Sequence, residues 1–207
     1  MFYYFLKIII FPFIKYIWVG EINGLNNIPS KGGVIIAANH SSYFDFITLY
    51  SISPKRIYFL TGEIFFKKKH WSWIMKLTKQ IKVDRNSKDK SESLITATNY
   101  LTEGKIIGMF PEGTRSLDGK LQKAYNGAIK LSITAGVPII PVGIEGTFEI
   151  MSKFNKFPNF KKCKINFGQP KYYTKDKNDI ENYDQLTLLT KELMRDIGYL
   201  CGQTYNF

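Results

Sequence analysis

The sequence predicts one α/β domain, with a mostly parallel or mixed sheet flanked by helices and an N-terminal membrane-associating helix. Three observations predict this fold: short apolar runs alternate with helix-like segments, polar clusters directly follow two of the runs, and 207 residues suit a single core. Linker-like composition is not seen anywhere along the chain. We therefore expect residues 1–20 to form the membrane-associating segment and residues 21–207 to form the functional domain.

The N-terminal segment is apolar and aromatic from Phe2 to Val19, apart from Lys7, Pro12 and Lys15. As a helix it would be about 27 Å long, which is short for crossing a bilayer core. The two lysines would lie about 80° apart around that helix, so one side would be cationic. The pattern favours a helix that lies in the headgroup region, with its lysines reaching lipid phosphates. A spanning helix and a helix of a soluble core stay open as alternatives.

The elements after this segment are predicted from apolar runs, turn residues and helix ends. Six strands are expected, at residues 34–38, 57–60, 81–83, 106–110, 137–144 and 164–167. Four helices are expected, at residues 44–53, 91–102, 126–135 and about 186–200. Gly104 and Gly136 mark the ends of two of them. Because strands and helices alternate, we expect the site along one edge of the sheet.

A basic, aromatic stretch lies at residues 65–73, where three lysines, Lys67 to Lys69, stand among four aromatic residues. On a membrane protein such a stretch would dock on lipid, and on a soluble protein it would stack on bases. A solvated basic turn that leads into an amphipathic helix is the other interpretation. We interpret His70 as part of this surface and not as a catalyst.

The charge of the chain favours an anionic partner. There are 29 basic and 17 acidic residues, a net charge of +12, and the first 100 residues hold 14 of the basic but only 6 of the acidic ones. A compositional bias of the genome would give the same excess. No nucleic-acid-binding motif is recognisable, so we expect a membrane surface and no nucleic acid as the partner. Cys163 and Cys201 lack metal-ligand spacing and are predicted to be free thiols, and no metal site is expected.

The first polar cluster, residues 39–45, follows the strand at 34–38 and contains His40 and Asp45. The two would lie about 140° apart on a regular helix, so they meet only if the chain makes a turn into a helix. The carboxylate would then hold one ring nitrogen protonated and leave the other to take a proton from an alcohol. Ser41 and Ser42 are better explained as helix caps than as nucleophiles, because no Gly-x-Ser-x-Gly elbow is present.

The second polar cluster, residues 111–116, follows the strand at 106–110. Arg115 offers a planar fork of donors for a phosphate, and the backbone around Gly113 and Thr114 can approach an anion closely. Glu112 would orient Arg115 or contact substrate hydroxyls. A plain turn is the alternative interpretation of this cluster on its own.

Together with the segment 137–142, Val-Pro-Ile-Ile-Pro-Val, the two clusters resemble the motifs of the glycerolipid acyltransferases, specifically the bacterial 1-acylglycerol-3-phosphate acyltransferases. With the block at 81–85 and the Gly-Gln-Pro ending at 168–170, the resemblance spans most of the chain after residue 20. It implies an α/β acyltransferase domain that makes phosphatidic acid. The partners implied are lysophosphatidic acid or a related lysolipid, and an acyl thioester of acyl carrier protein or coenzyme A as co-substrate, with no cofactor.

The resemblance also implies roles for individual residues. His40 would be the general base, oriented by Asp45, for direct attack of a lipid hydroxyl on the thioester without a covalent acyl-enzyme. Glu112, Gly113 and Arg115 would line the acceptor site, with Thr114 between them. Arg85 would join Arg115 on the acceptor phosphate, and Pro138 would belong to a segment near the acyl or acceptor pocket or to a core strand. The expected location is the cytoplasmic face of the cell membrane, as a peripheral or monotopic protein.

Two departures from the family pattern leave alternatives open. The block before Arg85 reads Lys-Gln-Ile-Lys-Val instead of beginning with glycine, and Tyr125 stands where relatives often carry lysine. Both positions lie on the proposed phosphate side. An acyltransferase for another lysolipid or hydroxyl acceptor is therefore the first alternative. A non-catalytic membrane module that binds anionic lipid is the second, although such a module would not need His40 and Asp45.

Overall fold

The computed structural model describes residues 2–84, 91–173 and 182–207. The strands are β1 Val19–Asn23, β2 Val34–Ala38, β3 Ile57–Gly62, β4 Ile81–Val83, β5 Ile106–Met109, β6 Ile139–Glu145 and β7 Cys163–Phe167. The helices are α1 Phe2–Phe5, α2 Phe11–Trp18, α3 Phe44–Ile52, α4 Ile64–Lys67, α5 Lys69–Leu77, α6 Ser91–Thr102, α7 Gly127–Ala135, α8 Thr147–Ile150 and α9 Tyr183–Leu200. A π-helical segment, Leu6–Ile10, joins α1 to α2, and Leu25–Asn27 forms a 3₁₀ turn.

The seven strands form one sheet in the order β1-β7-β6-β2-β5-β3-β4. The five strands from β6 to β4 in that order are parallel, whereas β7 is antiparallel to β6 and β1 is parallel to β7. The predicted mixed α/β sheet is therefore confirmed. In the β2–β5 pair Ala37 lies opposite Met109, so the two polar clusters begin side by side at the carboxyl edge of the sheet.

Helices cover both faces of this sheet, and the alternation of side chains along β2 divides the core in two. Val34, Ile36 and Ala38 pack on the face that carries α2 and α3, while Ile35 and Ala37 pack on the face that carries α6, α7 and α9. All five residues of β2 are fully buried, because the strand lies at the centre of the sheet. The end of β2 is thereby fixed as a rigid base for the residues that follow it.

The strand β1 was not predicted from the sequence. Its five residues, Val-Gly-Glu-Ile-Asn, show no apolar run, and only Val19 is buried. An edge strand that pairs with one neighbour needs no buried face along its whole length, so the pattern is weak. The strand also crosses the expected boundary at residue 20, since it begins at Val19 and continues to Asn23.

The N-terminal helix, comprising α1, the π-helical segment and α2, packs on α3 through Tyr3 and Phe11. Lys7 does not lie on an outer cationic face as expected. Its Nζ donates hydrogen bonds to the carbonyl oxygens of Tyr50 and Ser53 at the end of α3. Those carbonyls have no partner within the helix, and the negative end of the helix dipole favours a cation there. Lys15 remains exposed. Within residues 2–84, 91–173 and 182–207, no helix is long and apolar enough to cross a membrane.

Candidate active site

The His40–Asp45 contact lies in the turn between β2 and α3. His40 Nδ1 is 2.8 Å from Asp45 Oδ2, so the predicted turn into a helix brings the two side chains together. Asn39 ties the start of this turn to β6, because its amide donates to the carbonyl of Ile144 and accepts from the Ile144 N–H. The turn that carries the pair is therefore anchored to β2 and to the neighbouring strand β6.

The Asp45 carboxylate is fully buried and held by donors on both oxygens. Oδ2 accepts the backbone N–H groups of Ser41 at 2.7 Å and of Ser42 at 2.8 Å, in addition to its contact with His40. Oδ1 accepts the hydroxyl of Thr147, at the start of α8. Because the carboxylate faces His40 Nδ1, the proton of the neutral ring is held on that atom. Nε2 then carries the lone pair that can accept a proton.

The His40 ring is fixed by stacking as well as by Asp45. Its centroid lies 4.0 Å from that of Phe110, with an interplanar angle of 13°, and Phe110 in turn stacks on Phe59 at 5.5 Å. The His40 side chain is 14% exposed, so one edge of the ring reaches the adjoining cavity. Asp45 and Phe110 together leave the ring in one orientation.

Glu112 is buried behind His40, away from the cavity. Its Oε1 accepts the backbone N–H of His40 at 3.0 Å, and its Oε2 accepts the N–H of Gln122 at 3.2 Å. This placement corrects the expectation that Glu112 lines the acceptor site or orients Arg115. The carboxyl group joins the two polar clusters through their backbone, and the Ser116 N–H completes the joint by donating to the His40 carbonyl at 2.8 Å.

The buried position of Glu112 predicts a pH dependence of stability. Burial raises its pKa to about 8, while the N–H groups of His40 and Gln122 oppose the rise and the charge of Asp45 adds to it. The folded chain therefore keeps this proton to a higher pH than the unfolded chain, whose carboxyl has a pKa near 4.5. The free energy of unfolding is expected to fall as the pH rises through this interval.

Glu112→Gln tests that expectation by urea unfolding at several pH values between 5 and 8. The variant should lose about 1–3 kcal/mol, because the amide nitrogen of glutamine cannot accept the backbone N–H that the second carboxyl oxygen accepts. It should also lose the part of the wild-type pH dependence that comes from Glu112. An equal pH dependence in both proteins would show that Glu112 does not titrate in this interval.

Arg115 lies on the wall of the cavity, and its guanidinium is stacked on Tyr43. The Cζ atom is 3.6 Å from the centroid of the Tyr43 ring. Its Nη1 is buried and has no hydrogen-bond partner in the described part of the chain. A buried donor without a partner is unfavourable by about 1–3 kcal/mol, so an anion that accepts from Nη1 would be bound favourably.

The other predicted residues of the second cluster are placed differently. Thr114 is exposed and lines the cavity beside Arg115. Gly113 has φ +69°, and a Cβ there would lie 3.2 Å from the Tyr125 ring, so this glycine is needed for the turn. Pro138 precedes β6, and its carbonyl accepts the N–H of Ile35. Arg85, predicted to bind phosphate, lies outside the described residues.

The cavity has a volume of about 260 Å³ and runs from His40 toward the N-terminal helix. Aromatic and aliphatic side chains from α3, β3, α5 and the N-terminal helix form most of its wall, among them Leu6, Phe46, Trp71 and Met75. Gln80 lies in its lining and donates from its amide to the Tyr50 hydroxyl, while its Oε1 accepts the Phe59 N–H at 2.8 Å. The shape and lining suit a hydrocarbon chain.

Three residues of the site were missed from the sequence. Thr147 contacts Asp45 from 102 positions away, and nothing in the local sequence signals that contact. Tyr43 and Phe110 stand inside or beside the two clusters, so their positions were available, but their stacking depends on the pairing of β2 with β5. The basic stretch 65–73 contributes Phe65 and Trp71 to the cavity. Among the described residues, no group of three His, Cys, Asp or Glu side chains is placed to hold a metal ion.

Comparison with known proteins gives one matching family and many relatives. The sequence model of the family described as Acyltransferase matches residues 20–145. A 1-acyl-sn-glycerol-3-phosphate acyltransferase of Bacillus subtilis is 29% identical over 181 residues, which cover 87% of each chain. A chloroplastic protein of the same description from Brassica napus is 31% identical over 147 residues, which cover 70% of this chain and 41% of the relative. This chain therefore spans less than half of that plant protein.

Among solved structures, the crystal structure of the 1-acyl-sn-glycerophosphate acyltransferase PlsC from Thermotoga maritima is similar, with a TM-score of 0.72. The match covers 100% of this chain and 89% of that one at 21% sequence identity. At this identity the likeness supports the fold, including the presence of the N-terminal helix.

Proposed function

This chain belongs to the acyltransferase family, and from that premise we propose that it transfers an acyl chain from a thioester to the free hydroxyl of 1-acyl-sn-glycerol 3-phosphate. The product would be phosphatidic acid. The observation that carries the choice of acceptor is the cavity wall, which holds His40, backed by the buried Asp45, and Arg115, whose buried Nη1 has no partner among the described residues. The names of the relatives, including the Bacillus subtilis protein, support the same acceptor.

In the proposed reaction His40 Nε2 takes the proton of the acceptor hydroxyl as its oxygen bonds to the thioester carbonyl carbon. The tetrahedral intermediate then collapses, the C–S bond breaks, and the departing thiolate takes the proton back from the imidazolium. Asp45 stabilises that imidazolium from the Nδ1 side. No covalent acyl-enzyme is required, and Ser42 is engaged elsewhere, since its Oγ donates to the Met151 carbonyl at 2.6 Å.

The substrates would be held by the two parts of the cavity. Arg115 would pair with the acceptor phosphate, and the apolar wall would hold a hydrocarbon chain. Acyl carrier protein and coenzyme A present the same kind of thioester, and either is a suitable donor for this chemistry. A pure lipid-binding module is disfavoured, because it has no use for a histidine that is fixed by both Asp45 and Phe110.

We also propose that the chain docks on a membrane through its N-terminal helix, with residues 21–207 as the acyltransferase domain. Large apolar side chains on the outer side of this helix are exposed, namely Tyr4, Phe5, Ile8, Ile9, Phe13 and Tyr16. The inner side, with Leu6 and Phe11, lines the cavity. A helix that contacts lipid on one side and the cavity on the other gives an acyl chain a short path between them.

Thiol release from acyl-coenzyme A and from acyl carrier protein, measured with a panel of acceptors, tests the proposed reaction. We expect kcat/KM for 1-acylglycerol 3-phosphate to exceed that for 1-monoacylglycerol by about tenfold or more, because only the first can accept a charge-assisted bond from Arg115. The kcat/KM for lysophosphatidylcholine, whose phosphate carries a second ester, should lie between these two values. A preference for monoacylglycerol would overturn the acceptor assignment, and no transfer to any acceptor would overturn the reaction.

A further inference from the structure

The connection between α8 and β7, residues 151–162, exposes an unusual set of side chains. Its sequence reads Met-Ser-Lys-Phe-Asn-Lys-Phe-Pro-Asn-Phe-Lys-Lys and contains no acidic residue. Phe154, Phe157 and Phe160 are 71%, 80% and 85% exposed, and the four lysines before, between and after them are exposed as well. We call these residues the lysine–phenylalanine loop.

Polar residues of this loop form hydrogen bonds that fix its conformation, and this conformation leaves the phenylalanines exposed. Ser152 Oγ donates to Asn155 Oδ1 at 2.8 Å, and Asn159 binds back to the base of the loop. The Asn159 N–H donates to the Ile150 carbonyl and its side chain donates to the Glu149 carbonyl. Amide and hydroxyl groups thus hold the turn, while the apolar rings face outward. This arrangement reverses the usual distribution and indicates an interaction surface.

The loop is continuous with the outer side of the N-terminal helix. Trp18, the last residue of α2, donates its indole N–H to the Asn159 carbonyl at 3.0 Å and stacks on Phe160 at 6.2 Å. Lys162 Nζ lies 5.9 Å from the ring centroid of Tyr16. The exposed aromatic residues of the helix and the exposed phenylalanines of the loop therefore meet in one surface.

We propose that the lysine–phenylalanine loop is a second membrane-docking element that inserts its phenylalanines into the interface of an anionic bilayer while its lysines bind lipid phosphates. This proposal extends the docking by the N-terminal helix within the proposed function. Aromatic rings interleaved with lysines match the interface of an anionic membrane, where apolar and charged layers lie next to each other. The acidic surface of a carrier protein would satisfy the lysines but would leave Phe154 and Phe157 exposed.

Docking at this loop would set the orientation of the active site. Two contacts connect the base of the loop to the His40–Asp45 turn: the Thr147 hydroxyl donates to Asp45, and Ser42 Oγ donates to the Met151 carbonyl. With the N-terminal helix alone, the domain could rotate about the helix axis on the membrane surface. The loop, which would reach the membrane beside the end of α2, would be a second contact point and would restrict that rotation.

The test measures binding of the full chain to vesicles of phosphatidylcholine, with and without phosphatidylglycerol. Phe154→Ser with Phe157→Ser should weaken binding to both kinds of vesicle by about tenfold or more, since two buried aromatic side chains are lost from the bilayer interface. Replacing the four loop lysines, Lys153, Lys156, Lys161 and Lys162, by glutamine should weaken binding only to vesicles that contain phosphatidylglycerol, by about fivefold for each lysine that contacts the surface.

A matched control changes the opposite face of the molecule. Tyr199 on α9 is 87% exposed and Lys130 on α7 is exposed, and both helices pack on the other side of the sheet. Tyr199→Ser with Lys130→Gln should leave binding unchanged. Circular dichroism and thermal midpoints equal to those of wild type would show that every variant is folded.

Loop variants that bind both kinds of vesicle like wild type would overturn the proposal. If these variants also lost affinity for acyl carrier protein, the loop would instead be a docking surface for that protein. The vesicle assay contains no thioester, so its result does not depend on acyl transfer. Failure of the proposed reaction is seen separately, as absence of thiol release by the wild-type protein.

Discussion

His40→Ala is expected to lower kcat for acyl transfer by about a hundredfold to ten-thousandfold, the usual contribution of a positioned general base. Among the side chains that the structure describes, His40 is the only imidazole in contact with Asp45, and none of the described groups at this wall of the cavity is placed to act as the base instead. KM for the acceptor should change little, because the phosphate contact through Arg115 is retained. The measurement is steady-state thiol release at saturating acceptor.

The controls for this variant are Ser41→Ala and Ser42→Ala, since Ser41 and Ser42 directly follow His40 and either would carry a covalent acyl group in a serine mechanism. Ser41 Oγ contacts Thr147 at 3.2 Å, and Ser42 Oγ binds the Met151 carbonyl. Both substitutions should therefore leave kcat within a few fold of wild type. A folded His40→Ala protein with undiminished transfer would refute the general-base mechanism. If an acyl-serine were trapped in the wild-type protein and lost in either serine variant, the mechanism would be a covalent serine mechanism instead.

Much of the fold and the central pair of the site follow from local sequence. An apolar run of five residues followed by Asn-His-Ser-Ser predicts a central strand that leads into a turn. All five residues of β2 are buried, as this pattern predicts. The contact of His40 with Asp45 was predictable because the two are five positions apart. The side-by-side position of the two polar clusters was predictable because parallel strands share a carboxyl edge.

The rest depends on contacts that a single sequence does not encode locally. Glu112 was expected to face the substrate because it stands in a polar motif, but the φ of Gly113, +69°, and the adjoining turn direct its carboxyl group to backbone N–H groups inside the protein. Lys7 was expected on a cationic side of the N-terminal helix, where it would reach lipid phosphates. Instead, Lys7 donates to the free carbonyl groups at the end of α3. This contact depends on the packing of the N-terminal helix against α3, which the local sequence does not show.

At the proposed substrate site, the contact of Arg115 with Tyr43 is another one that the local sequence does not encode. The guanidinium was predicted as a phosphate ligand from its chemistry alone, whereas its rigidity comes from the Tyr43 ring beneath it. Tyr43 is itself stacked on Trp71 and packed edge-on against Phe65, both from the basic stretch 65–73. That stretch therefore supports the arginine from behind, in addition to forming part of the cavity wall.

Arg115→Gln is expected to raise KM for 1-acylglycerol 3-phosphate by about tenfold to a hundredfold, the value of a hydrogen bond to a charged group. Loss of a contact made equally in the ground state and the transition state raises KM and leaves kcat nearly unchanged. The values for 1-monoacylglycerol should hardly change, so the preference between the two acceptors should collapse. An equal loss with both acceptors would show that Arg115 supports the loop and does not bind the phosphate.

Tyr43→Leu separates the charge of Arg115 from its position. This variant keeps the arginine but removes the ring that holds it, so KM for the phosphate acceptor should rise by about twofold to thirtyfold, the equivalent of a cation–π contact of about 0.5–2 kcal/mol. Tyr43→Phe keeps the ring and should behave as wild type. Arg115→Lys keeps the charge but loses the planar stacking and should resemble Tyr43→Leu. If Tyr43→Leu and Tyr43→Phe had equal KM values, stacking would have no part in acceptor binding, and charge alone would account for the contribution of Arg115.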